Sequence, residues 1–170
     1  MTDTLNDRED WSRDDWSMAN CSIARTLEVV GTRSAFLLMR EASFGTRRFD
    51  DFARRAGIGE PATAARLKEL TAAGLLERVP YQEPGQRTRY EYKPTRKGHE
   101  LMPVIAALRQ WGDAWAADEA GPPVVTTHRD CGAQVHARLV CEAGHDVPVT
   151  NVQVHAGPGA IPASDERVRP

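Results

Sequence analysis

The sequence lacks a long apolar run, and it has few cysteines. A bilayer-spanning helix needs about 20 consecutive apolar residues, and no stretch of the 170 residues approaches that length. The opening residues, MTDTLNDREDWSRDDWS, are acidic and have no apolar centre, which is unlike a secretory signal peptide. Three cysteines are an odd number for a disulfide framework. We therefore expect a reduced, cytoplasmic protein with no membrane partner.

The sequence also lacks the local motifs of common enzymes. It has no Gly-rich phosphate loop, no paired carboxylates in a plausible cleft and no Ser/His/Asp set tied together by local context. These absences predict that the protein is not an enzyme and requires no cofactor for catalysis.

Net charge is small, −2 overall, but it is unevenly distributed. Residues 1–30 carry a net −4 and residues 101–170 a net −3, whereas residues 31–100 carry +5. A basic block between two acidic ones is the pattern expected when only the middle of the chain meets phosphates. The charge distribution therefore favours double-stranded DNA as a partner of that block.

The basic block has the pattern of a helix-turn-helix. Helical periodicity runs from Cys21 to Gly31, and a second helix opens at Thr32 or Arg33 and closes at Gly45. Two further helices follow in the stretch TRRFDDFARRAGIGEPATAARLKELTAAGLLERV, separated by the tight turn GIG. Proline in the first turn of the second of these helices removes an N–H that has no helical partner anyway. Two short helices joined by a glycine-bounded turn predict a helix-turn-helix.

A hairpin and a long helix follow the motif. Residues 75–81 and 89–93 alternate apolar and polar side chains around the turn EPGQRT, which predicts a β-hairpin. Thr95 is then expected to cap one long helix. Its apolar stripe comprises Leu101, Val104, Ile105, Leu108, Trp111 and Trp115. Such a stripe is too hydrophobic for a lone surface helix, so we predict that it packs on a second copy of the chain.

Composition divides the chain into four predicted segments. Residues 1–19 form an acidic flexible arm, and residues 20–118 a winged helix-turn-helix domain for DNA binding and dimerisation. Residues 124–155, rich in Val, Thr and His, form a small β-rich, zinc-ribbon-like module of two or three strands. Residues 156–170 are a Gly/Pro/Ala-rich disordered tail. The predicted fold class is α+β, mainly helical.

Four blocks of the sequence carry a family resemblance. They are CSIARTLEVVG, FLLMREASFGTRRFDDFARRAGI, RLKELTAAGLLERVPYQEPGQRTRYEYKPTRKGHEL and ALRQWGDAW, which together cover about residues 21–115. In order and spacing they resemble the HxlR-type winged helix-turn-helix regulators, relatives of the MarR group. The resemblance implies a homodimer whose first and last helices form the interface, a recognition helix in the major groove and a wing beside it. We therefore predict a sequence-specific transcriptional regulator, acting as a repressor.

The side chains expected to contact DNA lie on the two helices of the motif and on the wing. They are Arg47, Arg48, Pro61, Ala62, Ala65, Arg66, Lys68, Arg87 and Arg89. Thr46 is expected to cap the helix after it. The alternative for any one arginine is a solvated surface with no DNA role. Because the recognition helix offers mainly alanines, which contact little besides a thymine methyl, DNA shape and half-site spacing should supply much of the specificity.

A second set of residues has the spacing of a metal site. His128 and Cys131 are three apart, Cys141 and His145 are four apart, and a glycine adjoins each set. Thiolate and imidazole suit Zn²⁺, and glycines permit the tight turns of a zinc ribbon. The hypothesis is a structural zinc ion. The alternative is a degenerate ribbon in which the cysteines pack or form a disulfide.

Cys21 lies at the expected start of the first helix, where backbone N–H groups favour a reactive thiolate. Its position matches the sensing cysteine that the resemblance implies for some family members. It is therefore a candidate redox sensor, and the alternative is an inert cysteine at the dimer interface.

The effector of such a regulator would be an electrophile, a small molecule or none. A different function class also stays open, a winged helix used only for protein contacts with a zinc-ribbon docking tail.

Overall fold

The computed structural model describes residues 13–17 and 19–163, which include parts of the predicted arm and tail. Residues 1–12, 18 and 164–170 lie outside the described residues. Short 3-10 turns occur at Arg13–Asp15 and Val149–Asn151. The other elements are β1 (Trp16–Ser17), α1 (Ser22–Val30), α2 (Arg33–Ser43), α3 (Phe49–Ala56), α4 (Glu60–Ala72), β2 (Leu76–Tyr81), β3 (Arg89–Pro94), α5 (Arg96–Glu100), α6 (Met102–Trp115) and β4 (Ile161–Pro162).

The chain divides into two compact units. One contains residues 27–137, and the other contains the described residues before 27 together with residues 138–163. The boundary between residues 137 and 138 falls inside the module predicted at residues 124–155. The winged helix-turn-helix lies entirely within residues 27–137.

Helix α2 is the centre of the winged-helix core. Thr32 caps it by accepting a hydrogen bond from the N–H of Ala35, 3.2 Å away, and this satisfies one donor of the first turn. Leu38 and Met39 are completely buried. The helix ends before Gly45, whose φ of +90° favours glycine. These features confirm the predicted helix and both of its ends.

The helix-turn-helix packs on α2 through one apolar face of each helix. Phe52 of α3 and Leu67 and Leu70 of α4 have no exposed surface. Gly57 terminates α3 in the left-handed conformation, with φ of +63°, and the hydroxyl of Thr63 donates to the carbonyl of Ile58 at 3.3 Å. The motif is confirmed at the residues where the sequence predicts it.

The wing is an antiparallel hairpin, β2 with β3, in register from Leu76 opposite Pro94 to Tyr81 opposite Arg89. Tyr92 packs edge-on against Phe52, with ring centroids 6.2 Å apart. The loop before α3 also pairs with β3, because the N–H of Tyr92 donates to the carbonyl of Arg47 at 2.8 Å. These contacts fasten the wing to the helix-turn-helix.

The predicted long helix is two helices, α5 and α6, separated at Leu101. Thr95 does cap α5, since its hydroxyl accepts from the N–H of Gly98 at 3.2 Å. Pro103 explains the break, because it has no N–H to continue the helical ladder and therefore occupies the first turn of a new helix.

Residues 124–155 contain no strand, which corrects the predicted β-rich module. Isolated bridges pair Thr127 with Gln134 and Val140 with Asp146, each across a turn. A two-residue sheet forms elsewhere, with β1 antiparallel to β4. Part of the predicted arm and part of the predicted disordered tail are thus ordered by pairing with each other.

The close approach of Gly98 to the backbone of Leu75 predicts that a larger residue at position 98 destabilises the fold. A Cβ added at Gly98 would lie 2.1 Å from the carbonyl oxygen of Leu75, so Gly98→Ala should lower the free energy of unfolding by about 1–3 kcal/mol. Gly112→Ala is the matched control, because nothing lies within 4 Å of its added Cβ. That change should raise stability by about 0.5–1 kcal/mol, since glycine weakens a helix interior. Urea unfolding measures both, and equal effects would contradict the packing at Gly98.

Candidate nucleic-acid interface

Helix α4 presents one exposed face, and its opposite face is the core. The buried side chains are Thr63, Leu67 and Leu70. The exposed ones include the predicted groove-facing residues Pro61, Ala62, Ala65 and Lys68. Within the described residues, the Lys68 ammonium makes no hydrogen bond or ion pair. The geometry therefore leaves a small, mainly apolar face with one available cation.

Arg66 differs from the other predicted contacts on α4, because other side chains already hold it. Its Nε donates to the hydroxyl of Ser34 in α2 at 3.2 Å, and its Nη1 pairs with Glu69 one turn later. The side chain is only 24% exposed. Arg66 therefore links the recognition helix to α2, and a base contact would need these bonds to rearrange.

The two arginines before α3 have different surroundings. Arg47 is half-buried, and its Nη1 donates to the carbonyls of Ala42 and Thr46, each at 2.9 Å. Arg48 is exposed, pairs with Glu83 at 2.7 Å and lies over the ring of Tyr81. The hydrogen bond that Arg48 donates to the Glu83 carboxylate raises the pKa of the Arg48 guanidinium above its usual value. Arg47 thus fastens the loop, while Arg48 bears a permanent charge beside the wing.

Thr46 does not cap α3, which corrects the prediction. It is buried, and its hydroxyl donates to the carboxylate of Glu41 at 3.3 Å and accepts from Arg55 at 3.3 Å. Arg40 also pairs with Glu41 at 2.7 Å. The buried Glu41 carboxylate is therefore satisfied, as a buried charge must be. This network could not be predicted from sequence patterns, because it joins side chains of α2, of α3 and of the loop between them.

The wing carries three arginines on its exposed surface. Arg87 and Arg89 were predicted, and within the described residues their side chains make no hydrogen bond or ion pair. Arg78 was not predicted; its guanidinium lies 3.5 Å from the ring centre of Tyr90. Because the register places Arg78 opposite Tyr92 and Pro80 opposite Tyr90, the alternation of the hairpin could have identified Arg78.

The predicted apolar stripe is largely exposed on α6. Val104, Leu108, Trp111 and Trp115 are 48%, 52%, 61% and 77% exposed, and α6 has no fully buried residue. Helix α1 also exposes apolar side chains, with Ile23 at 72% and Leu27 at 52%. Exposed apolar patches of this kind mark interaction surfaces.

The four predicted metal ligands divide between the two compact units, with His128 and Cys131 in one and Cys141 and His145 in the other. His128 Nδ1 lies 3.2 Å from the sulfur of Cys131, and Gly132 and Gly144 adopt positive φ as the two turns require. Within residues 13–17 and 19–163, however, no group of three or more His, Cys, Asp or Glu side chains is placed to hold a metal ion. Cys131 and Cys141 are free thiols. The zinc site, with His145 as its fourth ligand, stays a prediction that metal analysis of protein purified without chelator would test.

Cys21 is a free, half-buried thiol immediately before α1. Its carbonyl accepts the first hydrogen bond of the helix, from the N–H of Arg25 at 3.0 Å. The residue therefore occupies the helix N-terminus, as the sequence predicts. Its redox activity stays a prediction.

The fold and its basic wing define a winged helix-turn-helix transcriptional regulator that binds DNA, rather than an enzyme. The chain belongs to the HxlR-like helix-turn-helix family, whose profile matches residues 29–120. In the part of the chain that the structure describes, no helix is long and apolar enough to cross a membrane.

Three relatives illustrate the similarity. An HTH-type transcriptional regulator of Mycobacterium tuberculosis is 41% identical over 139 residues, which cover 81% of this chain and 87% of the relative. The crystal structure of the transcription factor PA1607 aligns with a TM-score of 0.72 and 31% identity, over 82% of this chain and 96% of that one. The redox regulator HypR in its oxidised form aligns with a TM-score of 0.52 and 27% identity, over 58% and 100%.

The exposed, unpaired arginine at the wing tip predicts a loss of affinity. Arg87→Ala should weaken binding to duplex DNA by about 1–3 kcal/mol, much of it independent of sequence, because a phosphate or minor-groove contact is removed. Arg96→Ala is the matched control. It removes the same charge from a side chain that is 94% exposed on α5, beyond the base of the hairpin. Fluorescence anisotropy at moderate salt measures both, and equal affinities of Arg87→Ala and the unaltered protein would refute the role of the wing.

Proposed function

We propose that the protein is a sequence-specific DNA-binding repressor that acts as a homodimer. The observation that carries this proposal is the coexistence of two exposed surfaces within residues 27–137. One is the face of α4 with the arginines of the wing, and the other is the apolar stripe of α6. A regulator that reads two half-sites needs both kinds of surface.

The stripe of α6 supports the dimer. Two tryptophans and a leucine more than half exposed to water are costly, because burying apolar surface gains about 25 cal/mol per Å². Tryptophan is also among the residues that dominate the energy of protein interfaces. A second copy of the same helix offers a matching apolar surface with a two-fold axis.

The exposed face of α4 supports a mode of DNA recognition that depends on DNA shape and on the distance between half-sites. Pro61, Ala62 and Ala65 cannot form bidentate hydrogen bonds to bases, and Arg66 is held by Ser34 and Glu69. Affinity would then come mainly from cations at phosphates, among them Lys68 and Arg87. Specificity would come from the shape of the DNA and from the distance between the two half-sites.

Footprinting of DNA from upstream of the protein's own gene tests this function. The dimer should protect two half-sites about one helical turn apart, about 10 base pairs, and should bind unrelated DNA more weakly. Leu108→Glu should abolish the paired footprint, because it places a charge in the apolar stripe. Ala120→Glu, which adds the same charge in the exposed loop after α6, should leave the footprint intact.

Two outcomes would count against the proposal. Protection of a single half-site by the unaltered protein would contradict the dimer. Absence of DNA binding even at low salt would favour the other function class, a winged helix that makes protein contacts and docks through its C-terminal residues.

A thiol-controlled switch is a second candidate for this regulator. Its support is the position of Cys21 at the N-terminus of α1 and the similarity to the redox regulator HypR. Oxidation at a helix that carries exposed apolar residues would alter the surface available for dimerisation. An electrophilic effector would then act through this cysteine.

Oxidant sensitivity of operator binding tests the switch. Treatment with diamide should release DNA from the unaltered protein and not from Cys21→Ser. The double variant Cys131→Ser/Cys141→Ser is the control, because both of those thiols are free and exposed. It should respond like the unaltered protein, whereas equal sensitivity of Cys21→Ser would exclude Cys21 as the sensor.

A further inference from the structure

An apolar cavity of about 440 Å³ lies between α2, α6 and residues 124–135, all within one compact unit. Phe36, Leu37 and Phe44 line it from α2 and its C-terminal end, and Met102 and Ile105 line it from α6. Cavities that bind small molecules measure about 300–1,000 Å³ and are lined mainly by hydrophobic and aromatic side chains. The cavity fits that description in both size and lining.

The third wall of the cavity comes from a segment that follows the family domain. Thr126 and Val135 line the cavity, and both lie beyond residue 120, where the family match ends. The segment is fastened to α6 by side chains. Arg109 donates to the hydroxyl of Thr126 at 2.9 Å and to the carbonyl of Val124 at 3.3 Å, and the amide oxygen of Gln110 accepts from the N–H of Ala137 at 2.9 Å.

The polar side chains in the wall already have partners. Arg40 pairs with Glu41 and Arg109 pairs with Asp113, each at 2.7 Å. The hydroxyl of Ser43 donates to the carbonyl of Arg40 at 2.6 Å. Each guanidinium is therefore neutralised by its own carboxylate, and an anionic occupant would enter an apolar space with no unpaired cation to receive it.

We propose that this cavity binds an uncharged, largely apolar small molecule and that the molecule controls DNA binding. The regulatory half of this inference rests on the proposed function. Helix α2 lines the cavity on one side and, through Ser34, bonds to Arg66 of the recognition helix on the other. A molecule lodged between α2 and α6 thus contacts the helix that supports the DNA-reading face and the helix proposed to form the dimer.

A second copy of the chain is the competing occupant. The cavity side of α6 carries Met102, Ile105 and Arg109, whereas the exposed stripe carries Val104, Trp111 and Trp115. Of the stripe residues on α6, Ile105 and Leu108 also line the cavity. Because Val104, Trp111 and Trp115 do not line it, a dimer formed through these three residues leaves the cavity available.

Calorimetric titration of the full chain with two probes of the same shape tests the site. The probes are naphthyl methyl ketone, which is uncharged, and naphthoate, in which an anionic oxygen replaces the methyl group. The ketone should bind at least about tenfold more tightly, because the wall offers no free cation to the anion. Equal affinities, or no binding of the ketone, would overturn the proposal.

Two alanines on α6 provide matched variants. Ala106 lines the cavity and Ala107 does not. Ala106→Phe should abolish binding of the ketone, because its ring fills the cavity, and Ala107→Phe should retain it. Sedimentation of Ala106→Phe checks the competing occupant. A chain that fails to bind the ketone and becomes monomeric on this substitution would assign the cavity to the second copy.

The regulatory role has a separate measurement. Saturating ketone should weaken operator binding by about fivefold or more, and operator DNA should weaken ketone binding by the same factor, since coupling is reciprocal. Ala106→Phe should lose the effect of the ketone. Ketone binding without any change in operator affinity would refute the regulatory role, while failure of the chain to bind any operator would refute the proposed function and leave the site intact.

Discussion

Burial of the Phe52 ring is the interaction on which the DNA-reading surface depends. The ring is fully enclosed by the core that α2, α3 and α4 share, and the edge contact with Tyr92 brings the wing onto the same centre. The exposed side chains of α4 and of the hairpin are therefore presented from one packed frame. Since phosphate contacts must fit the spacing of a rigid duplex, this frame matters as much as the charges that it carries.

Polar contacts complete the frame at the points where apolar packing ends. The carbonyl of Arg47 pairs with the backbone of Tyr92, and the Arg47 side chain closes the loop after α2. Beneath that loop the Glu41 carboxylate is buried, forms an ion pair with Arg40 and accepts a hydrogen bond from the hydroxyl of Thr46. Several cations that a sequence would assign to DNA thus hold the protein together, and we propose that the exposed arginines of the wing contact the phosphates.

The sequence predicts the helix-turn-helix and the wing well, because apolar spacing determines both. The alternation around EPGQRT and the glycine turn at residues 57–59 are local signals. The hydrogen bond from Arg66 to Ser34 could not be predicted, since it joins residues 32 positions apart. The division of the predicted long helix into α5 and α6 could have been predicted from Pro103. The continuous apolar stripe favoured a single helix instead. The alternation within residues 124–155 predicted strands that the structure does not contain. Part of this segment is instead bonded to α6, since Arg109 donates to the carbonyl of Val124 and Gln110 accepts from the N–H of Ala137.

The segment after residue 120 extends the family domain, and it is not peculiar to this chain. The similarity to the mycobacterial regulator covers 139 residues, more than the matched family region spans. Part of that segment encloses the apolar cavity, which gives it a physical role beside α6.

We propose that two copies of the winged helix-turn-helix act together on one DNA site. The most direct measurement is the sedimentation mass of the complex with a labelled operator. Two chains per duplex are expected at protein concentrations just above saturation, and one chain per duplex would contradict the account.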